Sequence, residues 1–360
     1  MEIGIAGLPG AGKTTVFNAL VGAHVQVGTF SSAVSEPHRA VVKVPDRRVD
    51  VLVELFHPRS IKPAEVQFVD VAGLARRAGL ESDAALLGHL RAVDALLLVI
   101  AAHGDAAAAE SVLSDLGSLE SEFILADLDV TSRRLERLDR EIRMSRGGDA
   151  ERQAKTRELE LLARLKEALD GEIPIRTLRL TPDEDKLLRG YALLSAKPIL
   201  AVLNTGDDPE VGRHLAEAVA ARRSAGSTQW LAIAGRLEME LAELEPAEAG
   251  EFMEAMGIHE LAATRVIQAS YRLLDLVSFF TVGPDEVRAW TLRRGAAAVE
   301  AAAAIHSDLA RGFIRAEVVT YDDLVQAQTL AEARKRGRLR SEGKTYVVQD
   351  GDVVNILFNV

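Results

Sequence analysis

Gly7, Gly10, Gly12, Lys13 and Thr14 lie within the run Gly7-Leu8-Pro9-Gly10-Ala11-Gly12-Lys13-Thr14, the G-x-x-x-x-G-K-T spacing that grips a phosphate chain. Glycines there let backbone N–H groups close around an anion, Lys13 brings a point charge to the β- and γ-phosphates, and the Thr14 hydroxyl is a ligand for Mg2+. Gly10, Ala11, Gly12, Lys13, Thr14 and Thr15 are therefore the candidate nucleotide-binding residues. A chance Gly-rich turn carrying Lys-Thr is the competing explanation. The context disfavours it: Ile3 to Ala6 reads as a buried strand and Thr15 to Leu20 as the opening of a helix, the strand–loop–helix setting the motif requires.

Asp70-Val71-Ala72-Gly73 closes an apolar run that begins at Val66. A carboxylate at the end of a strand beside the phosphate loop is where a second, water-mediated Mg2+ contact belongs. Gly73 can offer its N–H to a γ-phosphate, so this loop could sense hydrolysis. Lys13, Thr14, Asp70 and Gly73 thus form the candidate catalytic set, with Thr14 and Asp70 the candidate metal ligands. Leu74 follows where Ras-type GTPases carry a glutamine that orients the attacking water, which a leucine cannot do. Asn204-Thr205-Gly206-Asp207 ends another apolar run, in the place of the base-reading Asn-Lys-x-Asp of GTPases but without the lysine. Asn204 can hydrogen-bond across the site and the backbone at Thr205 can read an adenine edge, whereas Asp207 keeps the carboxylate that guanine's two N–H donors need. Both bases stay open on these residues. The eight histidines show no ligand spacing, so no zinc site is expected.

Four apolar strand-like runs, beginning at Val66, Ala95, Ile199 and Trp230, alternate with helical stretches. This pattern predicts an α/β fold, a doubly wound, mostly parallel P-loop sheet. From Glu122 to Gly190 the character changes. Leu125, Leu128, Leu135, Leu138 and Ile142, then Leu159, Leu162, Leu165 and Leu169, recur at three-, four- and seven-residue spacing, with Arg146 to Asp149 as a turn; this reads as an inserted antiparallel helical hairpin. Its arginines, Arg133, Arg134, Arg137, Arg140, Arg143 and Arg146, form either a solvated face or an RNA-contacting arm. After Asp275 short β-rich runs follow: Val277–Val282, Glu286–Leu292, Ile314–Thr320, Thr345–Gln349 and Val353–Phe358. One helix, Ala296–Ile305, interrupts them, as in a β-grasp module. The expected organisation is 1–121 and 191–275 for the two parts of the NTPase domain, 122–190 for the hairpin and 276–360 for the β-grasp domain.

The chain has 360 residues, 43 Lys and Arg against 54 Asp and Glu, a net charge of -11 and no cysteine. The acidic balance argues against a surface that wraps nucleic acid, leaving a local basic contact as the expectation and DNA excluded. Disulfides and thiolate chemistry are excluded. No apolar run is long enough to span a bilayer and the phosphate-loop strand opens the chain, so a cytoplasmic protein without a membrane partner is expected.

Taken together, Gly-Leu-Pro in the loop, Asp-Val-Ala-Gly-Leu at 70–74 and the coiled insertion resemble the YchF/Obg-like ATPases of the Obg-related group. The resemblance extends to Leu125-Ala126-Asp127-Leu128-Asp129, Glu286 to Thr291, His306-Ser307-Asp308, Gly312 to Ala316, and Glu342 through Asp352 to Val360. It covers essentially the whole chain. The resemblance implies an NTPase domain, a helical arm, a ubiquitin-like TGS domain, preference for ATP over GTP, and association with ribosomes; a hydrophobic residue in place of the catalytic glutamine matches Leu74. The chain departs from the family pattern at several points. Val34 stands where a threonine usually ligates Mg2+, Ala33 where a redox-regulatory cysteine is usual, Gly10 for an asparagine and Asp207 for a glutamate, and the stretch after the second switch is shortened to Ala75–Leu80. The leading expectation is a monomeric, Mg2+-dependent ATP-binding and hydrolysing switch acting with a ribosome, ribosomal subunit or other RNA partner. The alternatives are a nucleotide-gated binding module with little hydrolysis, a GTP-preferring protein, or a small-molecule phosphotransferase, for which no acceptor-binding lid is evident.

Overall fold

A computed structural model of the chain describes residues 1–22, 37–71, 80–104, 107–144, 148–206, 209–222 and 228–359. In chain order the first elements are β1 (Glu2–Ala6), α1 (Lys13–Val21), β2 (His38–Lys43), α2 (Arg47–Phe56), β3 (Ser60–Lys62), β4 (Glu65–Asp70), α3 (Leu80–Ala92) and β5 (Ala95–Ala102). Next come α4 (Ala109–Met144), α5 (Asp149–Asp170), α6 (Pro182–Leu188), β6 (Ile199–Thr205), α7 (Pro209–Arg222), β7 (Gln229–Ile233), α8 (Gly235–Ala242), α9 (Pro246–Ala255) and α10 (Ala262–Leu273). The chain closes with β8 (Leu276–Val282), β9 (Glu286–Arg293), α11 (Ala298–Ile305), α12 (Ser307–Arg311), β10 (Phe313–Thr320), α13 (Tyr321–Ala327), α14 (Leu330–Lys335), β11 (Arg340–Glu342) and β12 (Asp352–Phe358). Two compact units result: Met1–Ala40 with Phe68–Val266, and Val41–Gln67 with Ile267–Val360. The second grouping differs from the expected division, because 41–67 lies in the middle of the expected first segment and yet clusters with the C-terminal residues.

One six-stranded sheet has the order β2-β4-β1-β5-β6-β7, and β1, β5, β6 and β7 are joined by parallel pairs. Strands β5 and β6 are apolar almost throughout because a central parallel strand is covered on both faces. The chain leaves β1 toward β4 on one side and reaches β5 on the other, which makes the C-terminal end of β1 a topological switch point. The registers Ala6↔Leu98, Ala101↔Asn204 and Asn204↔Ile233 bring the ends of β1, β5, β6 and β7 to one edge.

Helix α4 is continuous for 36 residues, so the expected boundary at 122 falls inside it. Its first half packs Val112, Leu116, Leu119 and Phe123 onto the sheet, and its second half packs Ile124, Leu128, Leu135 and Leu138 against Leu161, Leu162, Leu165 and Leu169 of α5. Because one uninterrupted helix has one phase, the seam takes Ile124, and Leu125 is 65% exposed; its expected place in the apolar stripe is corrected here. The hairpin's root is fastened by Asp127, which is fully buried. Its carboxylate accepts the N–H groups of Leu194 (3.0 Å) and Ser195 (2.7 Å) and an N–H of Arg91 (3.2 Å), whose guanidinium also donates to the carbonyls of Ala126 and Ala192.

In the second unit the sheet order is β11-β10-β12-β8-β9-β3. An antiparallel β8–β9 hairpin, α11 and a central β12 parallel to β8 make the β-grasp arrangement. Thr345–Gln349, expected as a strand, holds only the bridge Val347↔Ala297. Asp352 folds this stretch into a turn by accepting the Gln349 N–H (2.9 Å) and the Tyr346 hydroxyl (2.8 Å). Between β8 and β12 the described residues hold four helices, α11 to α14, where one was expected. Two of the additional ones, α13 and α14, open on the caps Thr320 and Thr329.

Replacing Asp127 by Ala leaves two buried amides without an acceptor, so Asp127→Ala is expected to lower stability by about 3 kcal/mol. The readout is a lower denaturation midpoint at unchanged slope; Asp127→Asn, which keeps a carbonyl acceptor, should lose less.

Candidate functional site

The loop between β1 and α1 is shaped by glycine. Gly10 (φ 83°) and Gly12 (φ 84°) both lie in the left-handed region, which turns successive amides toward one concavity at the start of a helix. Ala11 N–H donates to the Leu8 carbonyl (3.2 Å) and Val16 N–H to that of Gly12 (2.9 Å), closing the turn into α1. Gly7 is required for a different reason: a Cβ there would collide with the Val99 carbonyl of β5.

Lys13 is the first residue of α1 and is buried. Its ammonium donates to the carbonyls of Gly7 (2.9 Å) and Leu8 (3.0 Å), leaving its third N–H for an anion in the loop. Burial lowers its pKa from the usual lysine value, and the nearby Asp70 carboxylate opposes that shift. Thr14 is exposed, and its Oγ1 donates to Asp70 Oδ2 (3.2 Å), so the loop hydroxyl meets the carboxylate at the end of β4. One hydroxyl and one carboxylate are hard oxygen donors, the set that suits a Mg2+ ion completing its octahedron with water and phosphate. Among the described residues there is no group of three or more His, Asp or Glu that could hold a metal ion.

Asn204, at the end of β6, is buried and donates from Nδ2 to the Ala11 carbonyl (3.0 Å). It packs so closely that a Cβ at Gly12 would collide with this amide, and a Cβ at Gly235 would lie 2.8 Å from Oδ1. Thr205 Oγ1 is within 3.3 Å of the Ile233 carbonyl, joining the ends of β6 and β7. The structure therefore brings together Gly10, Ala11, Gly12, Lys13, Thr14, Thr15, Asp70, Asn204 and Thr205. The sequence reading overlooked Gly235, the first residue of α8, which lets the chain after β7 approach Asn204; its signal was a glycine two residues after the Trp230–Ile233 run. Gly73, Leu74, Ala33, Val34, Asp207 and Arg146 lie outside the described residues.

A parallel sheet whose switch point carries this loop, a lysine beneath it and a Thr–Asp pair beside it defines a P-loop nucleotide-binding protein. Comparison with known proteins agrees. Residues 2–127 match the model described as 50S ribosome-binding GTPase, and residues 276–359 match YchF-GTPase_C, described as a protein of unknown function. A Bacillus subtilis protein named Ribosome-binding ATPase YchF is 38% identical over the full length of both chains. Its Escherichia coli O157:H7 namesake is 34% identical over 100% of this chain and 99% of its own. The solved Schizosaccharomyces pombe YchF GTPase superposes with a TM-score of 0.86 at 29% identity, covering 99% of this chain and 97% of that one. A GTP-binding protein of Pyrococcus horikoshii, at 17% identity and a TM-score of 0.59, shares the fold. The chain belongs to the YchF family.

Gly12→Ala combines backbone strain with a collision against Asn204, and is expected to weaken nucleotide binding by at least about tenfold. Gly10→Ala meets no atom within 4 Å and should lose only the strain share. Equilibrium titration of a fluorescent nucleotide against both variants checks the ranking.

Proposed function

We propose that the protein is a Mg2+-dependent ATPase switch that works on ribosomes in the cytoplasm. The observation that carries this is the Lys13–Thr14–Asp70 cluster at the sheet's switch point, with Asn204 bracing the loop. Lys13 stabilises charge on the transferring phosphate, the amides of Gly10 to Thr15 surround the phosphate chain, and Gly73 supplies an N–H to the γ-phosphate. Thr14 would ligate Mg2+ directly and Asp70 through water; bound there, the ion neutralises charge on the β- and γ-phosphate oxygens. Asn204 and Thr205 border the base, and the Thr205 backbone favours adenine. The relatives are named as ribosome-binding ATPases, which supports both the nucleotide and the partner.

A second reading rests on Leu74 and Val34. Without a side chain to orient water and with one oxygen fewer for the metal, the protein would bind nucleotide and hydrolyse little, gating a partner by occupancy. Among the described residues no helix is long and apolar enough to cross a membrane.

Titration of ATP and GTP with Mg2+, followed by phosphate release with and without ribosomes, separates the readings. The expected result is ATP-selective binding with release stimulated by ribosomes; tight binding with no release under either condition favours the gated module. Lys13→Ala should reduce phosphate release by about 100-fold or more, and unchanged affinity and release would remove Lys13 from the site.

A further inference from the structure

Between Arg236 and Arg265 the chain runs for 28 residues with eight glutamates and no lysine or arginine. Two of the eight have partners in the fold. Glu238 is buried and accepts the N–H groups of Ala262 (2.5 Å) and Ala263 (2.7 Å) at the start of α10, and Glu240 pairs with Arg236 (3.0 Å). The other six, Glu243, Glu245, Glu248, Glu251, Glu254 and Glu260, are exposed and form no ion pair among the described residues. Elsewhere on this chain exposed carboxylates meet a cation nearby, as Asp129 meets Arg133 and Glu210 and Glu217 meet Arg213. Local helix stability does not explain the six. Glu245, Glu248, Glu251 and Glu254 follow one another at three-residue spacing, where like charges repel, and Glu254 stands in the last turn of α9, where negative charge opposes the helix dipole.

Helix α9 is apolar on two sides. Its inner side places Met253 with Leu244, Ile258 and Leu261 against Leu237 and Leu241 of α8. Gly257 (φ 67°) closes the helix, and Ile258 N–H reaches back to the Met253 carbonyl (2.8 Å), so the chain re-enters that cluster. Phe252 and Met256 stay in water, 42% and 45% exposed. Met256 N–H donates to the Phe252 carbonyl (3.0 Å), which keeps the helical step to the end of α9. Four-residue spacing then sets Glu248, Phe252 and Met256 on one stripe, with Glu251 and Ala255 alongside it. An aromatic ring and a thioether side by side, bordered by carboxylates without cations, match the apolar centre and charged rim of a protein interface.

We infer that the outer face of α9 docks a basic amphipathic helix of another protein, whose apolar side chains cover Phe252 and Met256 and whose lysines or arginines meet Glu248, Glu251 and Glu254. Charge complementarity selects this occupant. RNA and anionic lipid carry the wrong sign for a segment without a lysine or arginine. A second copy of this chain would bring the same glutamates to a two-fold contact, where like charges meet. A basic helix instead supplies the cations that the chain itself does not, and the unbranched Met256 side chain adapts to varied apolar partners. Two exposed apolar side chains make a small centre, so the contact is transient, of roughly micromolar affinity, and weakens with salt. This surface is separate from the nucleotide loop and independent of the ribosomal reading.

The test titrates the full chain with a fluorescent peptide of lysine and leucine, roughly 18 residues long, whose leucines share one helical face. A peptide of the same composition in scrambled order is its control. Four forms of the chain are compared: unchanged, Phe252→Ser/Met256→Ser, Glu248→Gln/Glu251→Gln/Glu254→Gln, and Glu210→Gln/Glu217→Gln, which removes exposed carboxylates from α7 instead. Thermal midpoint and nucleotide affinity report that each variant is folded. The expected result is that the unchanged chain and the α7 variant bind the amphipathic peptide alike, while either α9 variant binds at least about tenfold more weakly. The scrambled peptide should bind the unchanged chain at least about tenfold more weakly as well, and the glutamine set on α9 should flatten the salt dependence. The inference is overturned if either α9 variant binds like the unchanged chain, if the α7 variant loses as much, or if the scrambled peptide binds equally well, since net charge alone would then explain the contact. Sedimentation equilibrium supplies the last arm: a dimer of the unchanged chain that Phe252→Ser/Met256→Ser abolishes would put a second copy on this face and would equally overturn it.

Discussion

The fixed backbone of the loop from Gly7 to Gly12 is the constraint on which the rest of the first unit depends. Two left-handed glycines aim its amides inward, and it is held from below by two immovable neighbours, the Val99 carbonyl of β5 and the Asn204 amide at the end of β6. Neither neighbour can retreat, because β5 and β6 are central, fully buried strands in register with each other. The apolar sheet core therefore does more than stabilise the fold. It constrains the loop's path, and with it the position of Lys13, whose own ammonium is clamped by two loop carbonyls. Preorganisation of this kind favours binding, because the donors need not be gathered when the anion arrives.

The same unit anchors the hairpin rigidly. A carboxylate taken fully out of water is costly unless its oxygens are satisfied, and Asp127 is satisfied by two backbone amides and a guanidinium. Helix α3, helix α4 and the segment entering β6 thus meet at one buried anion. Arg91, which supplies the guanidinium, closes α3, so the helix that follows the Asp70 loop in sequence is tied to the base of the hairpin.

Charge divides differently from secondary structure. The hairpin looked basic because its arginines draw the eye in sequence, but helical spacing sets Arg133, Arg134 and Arg143 opposite an acidic residue four or seven positions away, or on α5, and those pairs cancel. On the turn after α14, Arg336 pairs with Glu332 of that helix and Arg340 with Glu342 of β11, while Arg334 and Arg338 reach Glu317 and Asp323 on other elements. A charge count along the chain cannot distinguish these cases, since the cancelling partners are set by folding.

The sequence by itself determined the phosphate loop, Asp70 at a strand end, the central strands and the helical hairpin, because each is written in local terms: glycine spacing, apolar runs, heptad-like periodicity. Cap residues Thr320 and Thr329 likewise announced α13 and α14, though a reading tuned to strands passed over them. Only the tertiary structure decided that 41–67 belongs with the C-terminal unit, that Ile124 and not Leu125 enters the hairpin seam, that Asn204 turns its amide onto the loop, and that Gly235 makes room for it. Each of these depends on which distant backbone or side chain lies within a few ångströms, and such neighbours are fixed by strand order and helix phase, neither of which a linear pattern of residues contains.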